Sequence, residues 1–570
     1  MMTTRQLLLA ASAVLVLSAC GNNDAQNESD NGGAATPPPV ATSGNNPLFD
    51  RIDADTVMIG ANLAPAPDAV IDRIWESMEV MEGYGDQSYD EMAEAVQKDS
   101  PVLSALLEEL YSVQDRESLE ALGVHSNGYW AAHMVAVYPV LHLELSDPAA
   151  FQAMLDRVER NSETPLPMRT IDGEALVWIE EDGAGVALHY DERFATLALI
   201  PDDETLLRRV VNLDSPEQSF NPDQLASFNQ AQGFVQHGSG FMDLRGFFDR
   251  LMDTDNDQAS AARSLLDMDR LANDAACRQE IDALLGIFPR ITAGLSAFDR
   301  NALDMKMLIE TEAEMAGRMS EIAQTPVGLT SGQPRTLSAG IAFDPVSARD
   351  FARELVGGWV ESPPKCAAFS QVATNAPEWQ NALNRPIPPV VTNIRGFRVN
   401  LDKMLMGESG QVEDAAGTVA LFVRNPQMLL GMAQMFSPEI AAMGIEQNGE
   451  PKPLPSGLIP NMPDLGAFIA LGDEAIGLSV GEGQQDNLPA VLTANEPDGA
   501  VFAYAINFDR YSELMEAMLS RLGEMDDART DDMPPSDFLA PLAEIYDTSH
   551  FAIKLTEQGI VVESELTMQQ

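Results

Sequence analysis

The sequence predicts an α+β fold in which repeated strand–helix–hairpin modules form largely antiparallel sheets with helices on one face, with a helical region before the first module. Two observations carry this prediction. Five segments share one pattern, an apolar strand followed by an Asp or Asn and then by an amphipathic helix. Paired apolar runs around short polar turns, the pattern of β-hairpins, recur after these helices. Hairpins combined with helices favour α+β over a doubly wound parallel sheet.

The five strand–helix segments begin at Val140, Gly238, Leu337, Gly417 and Val501. In three of them the residue after the strand precedes a proline, and these residues are Asp147, Asp344 and Asn425. Such side chains accept the free amide protons of a first helical turn, and a proline at the next position has none to lose. Asp243 fits the same role without a proline, and in the fifth segment either Asn507 or Asp509 fits it.

The predicted hairpins read VALHYDERFATLALI, LSAFDRNALDMKMLIE, FIALGDEAIGLSVG and FAIKLTEQGIVVESEL. In the last of these, Ile560, Val562 and Leu566 fall on one face, and Glu563 and Glu565 fall on the other. Strict alternation of this kind predicts a strand with one apolar face.

The region before the first module reads as helical, because Ser100-Pro101 forms a helix start and leucines follow at helical spacing. A stretch rich in Gly, Pro, Ser and Thr, from Thr325 to Thr336, predicts an interdomain break. We therefore expect an N-terminal α+β domain over 47–330 and a C-terminal one over 331–570.

The N-terminus carries a targeting signal. Arg5, an apolar run from Leu7 to Leu17 and small residues before Cys20 follow the order of a secretory signal peptide. A cysteine at the cleavage point resembles the lipobox of bacterial lipoproteins. This resemblance implies a signal peptide over 1–19 and acylation of Cys20. Residues 21–46 are polar, with almost nothing to bury, and predict a disordered tether that spans about 28 Å on average.

The same resemblance gives an expected location. Gly21 follows the cysteine, whereas lipoproteins kept in the inner membrane typically carry aspartate there. The resemblance therefore implies an outer-membrane lipoprotein, anchored by lipid and facing the periplasm. The rest of the chain also resembles Gram-negative envelope lipoproteins built from strand–helix–hairpin modules, a likeness that brings no known activity.

The chain is strongly acidic, with 88 acidic against 34 basic side chains and a formal net charge of −54. This excludes nucleic acid as a partner, because phosphate binding needs clustered Lys and Arg. Adaptation to a salty exterior and acidity kept for solubility explain the charge equally well.

Two cysteines remain beyond Cys20, namely Cys277 and Cys366. In an oxidising periplasm we expect them to form a disulfide. The absence of a CxxC motif speaks against a thiol oxidoreductase, and two distant cysteines without nearby histidines make a poor zinc site.

One motif suggests catalysis. Gly477 to Gly481 matches the G-x-S-x-G pattern around Ser479, with His550 downstream as a possible base, which would make the protein a periplasmic serine hydrolase. However, Ser479 lies inside an alternating run rather than at a strand-to-helix turn. The parallel segment LALIPDDETLLRRVV of the first module places Leu199 opposite Ser479, which favours a structural role.

Other candidate sites also have plainer interpretations. Asp253, Asp255 and Asp257 resemble the start of a calcium loop, but Gln258 and Ser264 stand where glycine and glutamate are needed. The six histidines form no HxxxH or HExxH pair, so we predict no metal site and no cofactor.

A methionine stripe lies on one helical face, formed by Met428, Met432 and Met435. This spacing favours a stripe packed in the core over an apolar groove that binds a partner or a copper(I) site. Taken together, the sequence predicts a non-enzymatic, lipid-anchored envelope protein that binds a partner protein or a hydrophobic ligand, or serves as a scaffold. A serine hydrolase that uses Ser479 and His550 is the alternative.

Overall fold

The computed structural model describes residues 46–80, 100–181, 184–323, 335–406, 412–455, 465–492, 499–522 and 539–569. The predicted signal peptide, Cys20 and nearly all of the tether lie outside these residues. The chain forms two compact units, Met1–Met307 (unit 1) and Leu308–Gln570 (unit 2). The boundary falls inside a strand, before the predicted break at 325–336, of which residues 325–334 lie outside the described part.

The strands of unit 1 are β1 Met58–Ala61, β2 Trp130–Val135, β3 Tyr138–Glu144, β4 Met168–Ile171, β5 Glu174–Glu181, β6 Ala184–Tyr190, β7 Phe194–Pro201, β8 Ser239–Asp243, β9 Arg290–Asp299 and β10 Ala302–Glu310. Its helices are α1 Asp68–Val80, α2 Pro101–Tyr111, α3 Arg116–Ala121, α4 Pro148–Asn161, α5 Glu204–Val210, α6 Pro222–Gln232, α7 Leu244–Met252, α8 Ser260–Leu265, α9 Asp269–Ala272 and α10 Ala275–Ile287.

The strands of unit 2 are β11 Leu337–Ala342, β12 Ile394–Met406, β13 Val412–Val423, β14 Lys452–Pro453, β15 Ala467–Leu471, β16 Ala475–Val480, β17 Ala500–Asn507, β18 Tyr546–Thr556 and β19 Gly559–Met568. Its helices are α11 Ala313–Ser320, α12 Pro345–Glu361, α13 Ser370–Leu383, α14 Pro389–Asn393, α15 Pro426–Phe436, α16 Pro438–Ala442, α17 Leu488–Leu492, α18 Phe508–Leu522 and α19 Leu539–Ile545. The α+β class and the largely antiparallel sheets are therefore confirmed.

The two units repeat one topology. In unit 1 the strands lie in the order β10-β9-β8-β1-β2-β3-β7-β6-β5-β4. In unit 2 the order is β19-β18-β17-β11-β12-β13-β16-β15-β14. Removing β4 makes the two orders correspond strand for strand, and helices follow equivalent strands. The chain is thus built from two copies of one arrangement. The predicted modules that begin at Val140 and Gly238 lie in unit 1, and those that begin at Leu337, Gly417 and Val501 lie in unit 2.

The predicted helix starts are present. Asp147, Asp243, Asp344 and Asn425 each accept a backbone amide of the helix that follows, through their side chains. In the fifth segment the side chain of Asn507 does so, accepting from the amide of Arg510, which settles the choice between Asn507 and Asp509.

The N-terminal region is only partly helical. Helix α2 begins after Ser100, whose hydroxyl accepts from the Leu103 amide, as the sequence predicts. The region also holds the short strand β1, which pairs with both β2 and β8. Its four residues are too few for a periodic signal, so only the tertiary pairing identifies them as a strand.

Unit 1 departs from the predicted layering, because helices cover both faces of its sheet. Trp178 and Ala187 belong to a buried cluster with residues of α5 and α7. Their chain neighbours Val177 and Leu188 belong to another, with residues of α2 and α4. Since successive strand residues point to opposite faces, the two clusters lie on opposite sides. Near-continuous apolar strands are what a sheet buried on both faces requires.

The two cysteines behave as the sequence predicts. Cys277 in α10 and Cys366 are each 1 % exposed and disulfide-bonded. The Cys277–Cys366 bond closes a loop of roughly 90 residues, which contributes about 4–5 kcal/mol in the chain-entropy model.

Candidate functional site

Small and polar residues occupy one face of the unit 2 sheet. The cross-strand register aligns Ser338, Asn400, Thr418 and Ser479 in one row, and Gly340, Arg398, Ala420 and Gly477 in the next. Helix α17 lies on this side, because Val491 clusters with Ala420, Phe422 and Ala475. We call this side the helix face.

Large apolar residues occupy the opposite side, which we call the apolar face. One of its rows is formed by Val562, Ile553, Phe502, Ile341, Phe397, Leu421 and Ile476. The adjacent row is formed by Phe551, Tyr504, Ala339, Val399, Val419, Leu478 and Ile469. None of these fourteen side chains is buried, and Phe397 and Val419 are 44 % and 39 % exposed. The register continues the first row to Leu471 in β15, which is 1 % exposed.

The apolar face carries aromatic rings at one end. Tyr504 and Phe551 stack with ring centroids 5.3 Å apart, and Phe502 lies 6.1 Å and 6.3 Å from them. Rigid rings of this kind offer a large contact area at a small cost in side-chain entropy. None of these fourteen residues is charged, in a chain with 21 % charged residues, and the register continues the second row to Lys452 at one end and to Ser564 at the other.

The matching side of unit 1 is closed by helices. The Asp147-Pro148 and Asn425-Pro426 helix starts, together with the strand register, align α4 with α15 and β3, β7 and β6 with β13, β16 and β15. Leu188 and Ala195, which this alignment matches with Ile469 and Ile476, are 7 % and 5 % exposed under α2 and α4. Among the described residues, neither buried cluster of unit 2 contains a residue of the apolar face.

Helix α15 shows the same contrast. The buried stripe of α4 consists of Phe151, Met154, Leu155 and Val158, with at most 4 % of each side chain exposed. The aligned residues of α15 are Leu429, Met432, Ala433 and Phe436, all apolar. Yet Met432 is 36 % and Phe436 is 85 % exposed. Leu429 and Ala433 are partly buried, so the helix keeps the pattern of a packed helix while part of its stripe faces solvent.

The prediction of a core methionine stripe is therefore wrong. Met435 is 82 % exposed and Met432 is 36 % exposed, so this side of α15 faces solvent. The reason is tertiary, because helical spacing shows that side chains share a face but cannot show whether another element covers it.

A separate cleft of about 460 Å³ opens beside β15, lined in part by Asn448, Asp473, Glu474 and Leu492. Its lining mixes carboxylates with apolar groups, so it is not the deep apolar cavity of an enclosed lipid carrier. Within the described part of the chain, no helix has the length and apolarity to span a bilayer.

The structure does not bring Ser479 and His550 together. Ser479 lies in β16 and His550 in β18, five strands apart, which corresponds to about 24 Å measured along a sheet. Ser479 is fully buried, and neither its hydroxyl nor the two His550 ring nitrogens has a hydrogen-bond partner. Glu565 Oε2 lies 3.7 Å from His550 Nδ1. The serine–histidine contact that the hydrolase alternative needs is absent.

The alignment of the two units also shows that the predicted match between Ser479 and Leu199 is off by one residue. The register matches Ser479 with Ala198 rather than with Leu199. Ala198 is 2 % exposed, on the same inward-facing parity as Ser479. A slip of one residue would have placed the side chain on the other face. The sibling position still carries no serine.

The acidic stretch that resembles a calcium loop is held by an arginine. The Arg263 guanidinium is 5 % exposed and donates to the carbonyl oxygens of Leu251, Asp253 and Asn256. These oxygens therefore already have a cationic partner. Among the described residues, no group of three or more His, Cys, Asp or Glu side chains is placed to hold a metal ion.

Unit 1 contains a buried histidine pair that sequence reasoning missed. His133 in β2 and His142 in β3 approach to 3.1 Å between their Nε2 atoms, and His142 Nδ1 lies 2.9 Å from Thr196 Oγ1. Burial, together with the charge of Arg209, lowers the pKa of His133 to about 3. Burial also lowers the pKa of His142 well below its ordinary value. Both rings are therefore neutral at physiological pH. Only the pairing of β2 with β3 reveals their contact.

Comparisons with known proteins add little. No family model and no curated protein matches the chain. Two solved structures, crystal forms III and I of TP0453, match with 9 % and 10 % sequence identity and TM-scores of 0.24 and 0.23. Each similarity covers 50 % of this chain, and 88 % and 87 % of the respective TP0453 chain. Similarity at this level carries no argument about structure or function.

Replacing Ser479 by alanine is expected to leave unit 2 as stable as before or to stabilise it by up to about 1 kcal/mol, because it removes a buried hydroxyl without a partner. The control is Thr418→Val, which removes the acceptor of the Asn400 side-chain amide, at 3.0 Å, and should cost about 1–3 kcal/mol. Urea unfolding measures both. A destabilised Ser479→Ala variant, or one that loses a measured esterase activity, would contradict this interpretation.

The histidine pair predicts an acid-sensitive unit 1. The folded pKa of His133 is about 3 and the unfolded value is about 6.5, so the unfolded chain binds the extra proton first as the pH falls. The stability that neutral His133 contributes is fully present above pH 6.5 and is lost progressively as the pH falls from 6.5 to 3. His133 alone should account for about 2 kcal/mol lost by pH 5.

Unfolding free energies measured from pH 7 to 5 test this prediction. A His133→Leu/His142→Leu variant should show a clearly shallower dependence on pH, whatever its stability at pH 7. Replacing the exposed His125 by leucine is the control and should leave the slope nearly unchanged. Equal slopes for the double variant and the unmodified chain would refute the assignment.

Proposed function

We propose that this protein is a non-enzymatic, lipid-anchored envelope protein whose unit 2 binds a hydrophobic ligand along its apolar face. The observation that carries the proposal is the contrast between two copies of one topology. The sheet and helix surfaces that pack together in unit 1 are both apolar in unit 2, where they are partly exposed and where Phe397, Val419, Met432 and Phe436 face solvent. Two unsatisfied apolar surfaces in one unit mark a binding site.

The chemistry of these surfaces favours acyl chains as the ligand. The fourteen residues of the apolar face offer no charge and only one hydroxyl, that of Tyr504, and Lys452 and Ser564 continue one row only at its ends. Protein interfaces usually carry about one hydrogen bond per 100–200 Å². An acyl chain gains roughly 0.8 kcal/mol for each buried methylene. Ten buried methylenes would supply about 8 kcal/mol, enough for a micromolar complex before ordering costs.

The net charge narrows the ligand class further. A chain with a formal charge of −54 repels anionic headgroups and nucleic acid. A ligand with a neutral or zwitterionic polar group fits best. A role in binding rather than catalysis is also supported by the separation of Ser479 from His550 along the sheet.

The proposed location follows from the lipobox. Acylation of Cys20 would attach the protein to the outer membrane, with the body on the periplasmic side. Several acyl chains on one residue give a stable anchor, whereas one chain alone is marginal. The membrane would then be the first partner of this protein, and its lipids would be within reach of unit 2.

Ligand binding is tested by titrating a zwitterionic lysophosphatidylcholine that carries a fluorescent acyl chain into the mature chain carrying Cys20→Ala, which removes the anchor. We expect Val419→Lys to weaken probe binding at least tenfold, because it places a charge at the centre of the apolar face. The matched control is Leu284→Lys in α10 of unit 1, which also replaces an exposed apolar residue, 46 % exposed, and should change affinity less than twofold.

Two outcomes would contradict this function. The probe would bind Val419→Lys as tightly as the unmodified chain if the site lay elsewhere. If the unmodified chain bound no probe but captured a protein that Val419→Lys did not, the apolar face would be a protein interface instead.

The anchor is tested separately. Cells supplied with labelled palmitate should produce a labelled protein that fractionates with outer membranes. Cys20→Ala should lose the label and release the protein into the soluble periplasmic fraction. A Cys20→Ala protein that still fractionates with the envelope as before would sink the lipid-anchor proposal.

A further inference from the structure

The end of helix α15 exposes two adjacent large apolar side chains. Met435 and Phe436 are 82 % and 85 % exposed, more than any other large apolar residue in the described part of the chain. Neither belongs to a buried cluster there. Packing within the described part of unit 2 does not account for two such apolar side chains at a helix end, because most of each lies in solvent.

Helix α15 also carries no charge along its eleven residues, PQMLLGMAQMF. The aligned helix α4 of unit 1 has four charged residues in its second half, and its Arg157 pairs with Glu109 at 2.8 Å. The alignment places Met435 where α4 has Arg157. One copy of the fold therefore presents an ion pair at a position where the other copy presents a thioether to solvent.

We infer that the end of α15 docks on a neutral phospholipid bilayer, with Met435 and Phe436 entering the region of the acyl chains. An uncharged helix can approach hydrocarbon without the cost of desolvating ions. The helix is about 16 Å long, far less than a 30 Å hydrocarbon core, so it would lie in the interface rather than span the membrane.

Other occupants fit these observations less well. A second copy of the chain would bring another body with a formal net charge of −54 against the first. A protein partner would find no charge and only two glutamine side chains on α15 for hydrogen bonding. A bilayer requires neither charges nor hydrogen-bonding groups on the helix. The proposed tether after Cys20, about 28 Å on average, would keep a bilayer close to it. Anionic lipid is disfavoured by charge.

This docking stands on the exposure of the helix end and is independent of ligand binding on the apolar face. The two are connected only by position, since α15 is the helix whose counterpart covers the matching face in unit 1. Docking would thus place the helix that borders the proposed ligand site at the source of acyl chains.

The experiment uses the full mature chain carrying Cys20→Ser, so that only the protein surface can bind lipid. Flotation with vesicles of zwitterionic phosphatidylcholine measures the partition coefficient. We expect Met435→Ser/Phe436→Ser to lower it at least tenfold. Met168→Ser, which removes an apolar side chain 58 % exposed in β4 of unit 1, is the matched control and should stay within twofold. Because all three side chains are exposed, thermal unfolding should be unchanged.

A second readout reports insertion directly. Phe436→Trp should add an emission that shifts to the blue on phosphatidylcholine vesicles and is quenched by brominated acyl chains, whereas Met168→Trp should show neither effect. Vesicles of anionic phosphatidylglycerol should bind less at low salt, and the difference should narrow as salt screens the charge.

Three results would overturn the inference. They are no vesicle binding by the Cys20→Ser chain, equal binding by the Met435→Ser/Phe436→Ser variant, and no quenching of Phe436→Trp by brominated lipid. A dimer in solution that Met435→Ser/Phe436→Ser dissociates would assign the helix end to a second copy instead. None of these results depends on Val419 or on probe binding, so failure here is distinct from failure of the proposed ligand site.

Discussion

The continuous cross-strand register of unit 2 is the constraint on which its surface depends. Because side chains alternate at every residue, one register sends Ser338, Asn400, Thr418 and Ser479 to the helix face, and sends the residues between them to the apolar face. A slip of one residue in any strand would move the side chains of that strand to the opposite faces of the sheet. The small and polar helix face allows helix α17 to approach closely, and the bulk of the apolar side chains lies on the other side.

Helices cover the two copies of this topology to different extents. In unit 1 the helices α2 and α4 close over the sheet and bury their apolar stripes. In unit 2 the helices α12 and α13 contact each other through Trp359 and Trp379, with ring centroids 6.3 Å apart, and α15 leaves its apolar stripe in solvent. The free energy that unit 1 gains from closing these surfaces remains available in unit 2. The proposed lipid binding rests on these exposed apolar side chains.

Both sheets contain buried polar side chains. Asn400 donates to Thr418, and His142 lies within hydrogen-bond distance of both His133 and Thr196, so each cluster partly satisfies itself across strands. The Ser479 hydroxyl and the His550 ring nitrogens have no hydrogen-bond partner among the described residues. A neutral histidine pair inside a sheet stabilises unit 1 only while both rings stay unprotonated.

The sequence by itself determined what depends on neighbours along the chain. The capped helices after Asp147, Asp344 and Asn425, the four hairpins and the α+β class follow from cap chemistry and strand alternation. The Cys277–Cys366 bond followed from there being only two cysteines beyond Cys20. The tertiary structure alone decided the twofold repeat, the central place of β1, the His133–His142 contact and the exposure of Met435. Periodicity states which side chains share a face, but only the packing of distant elements determines whether that face is covered.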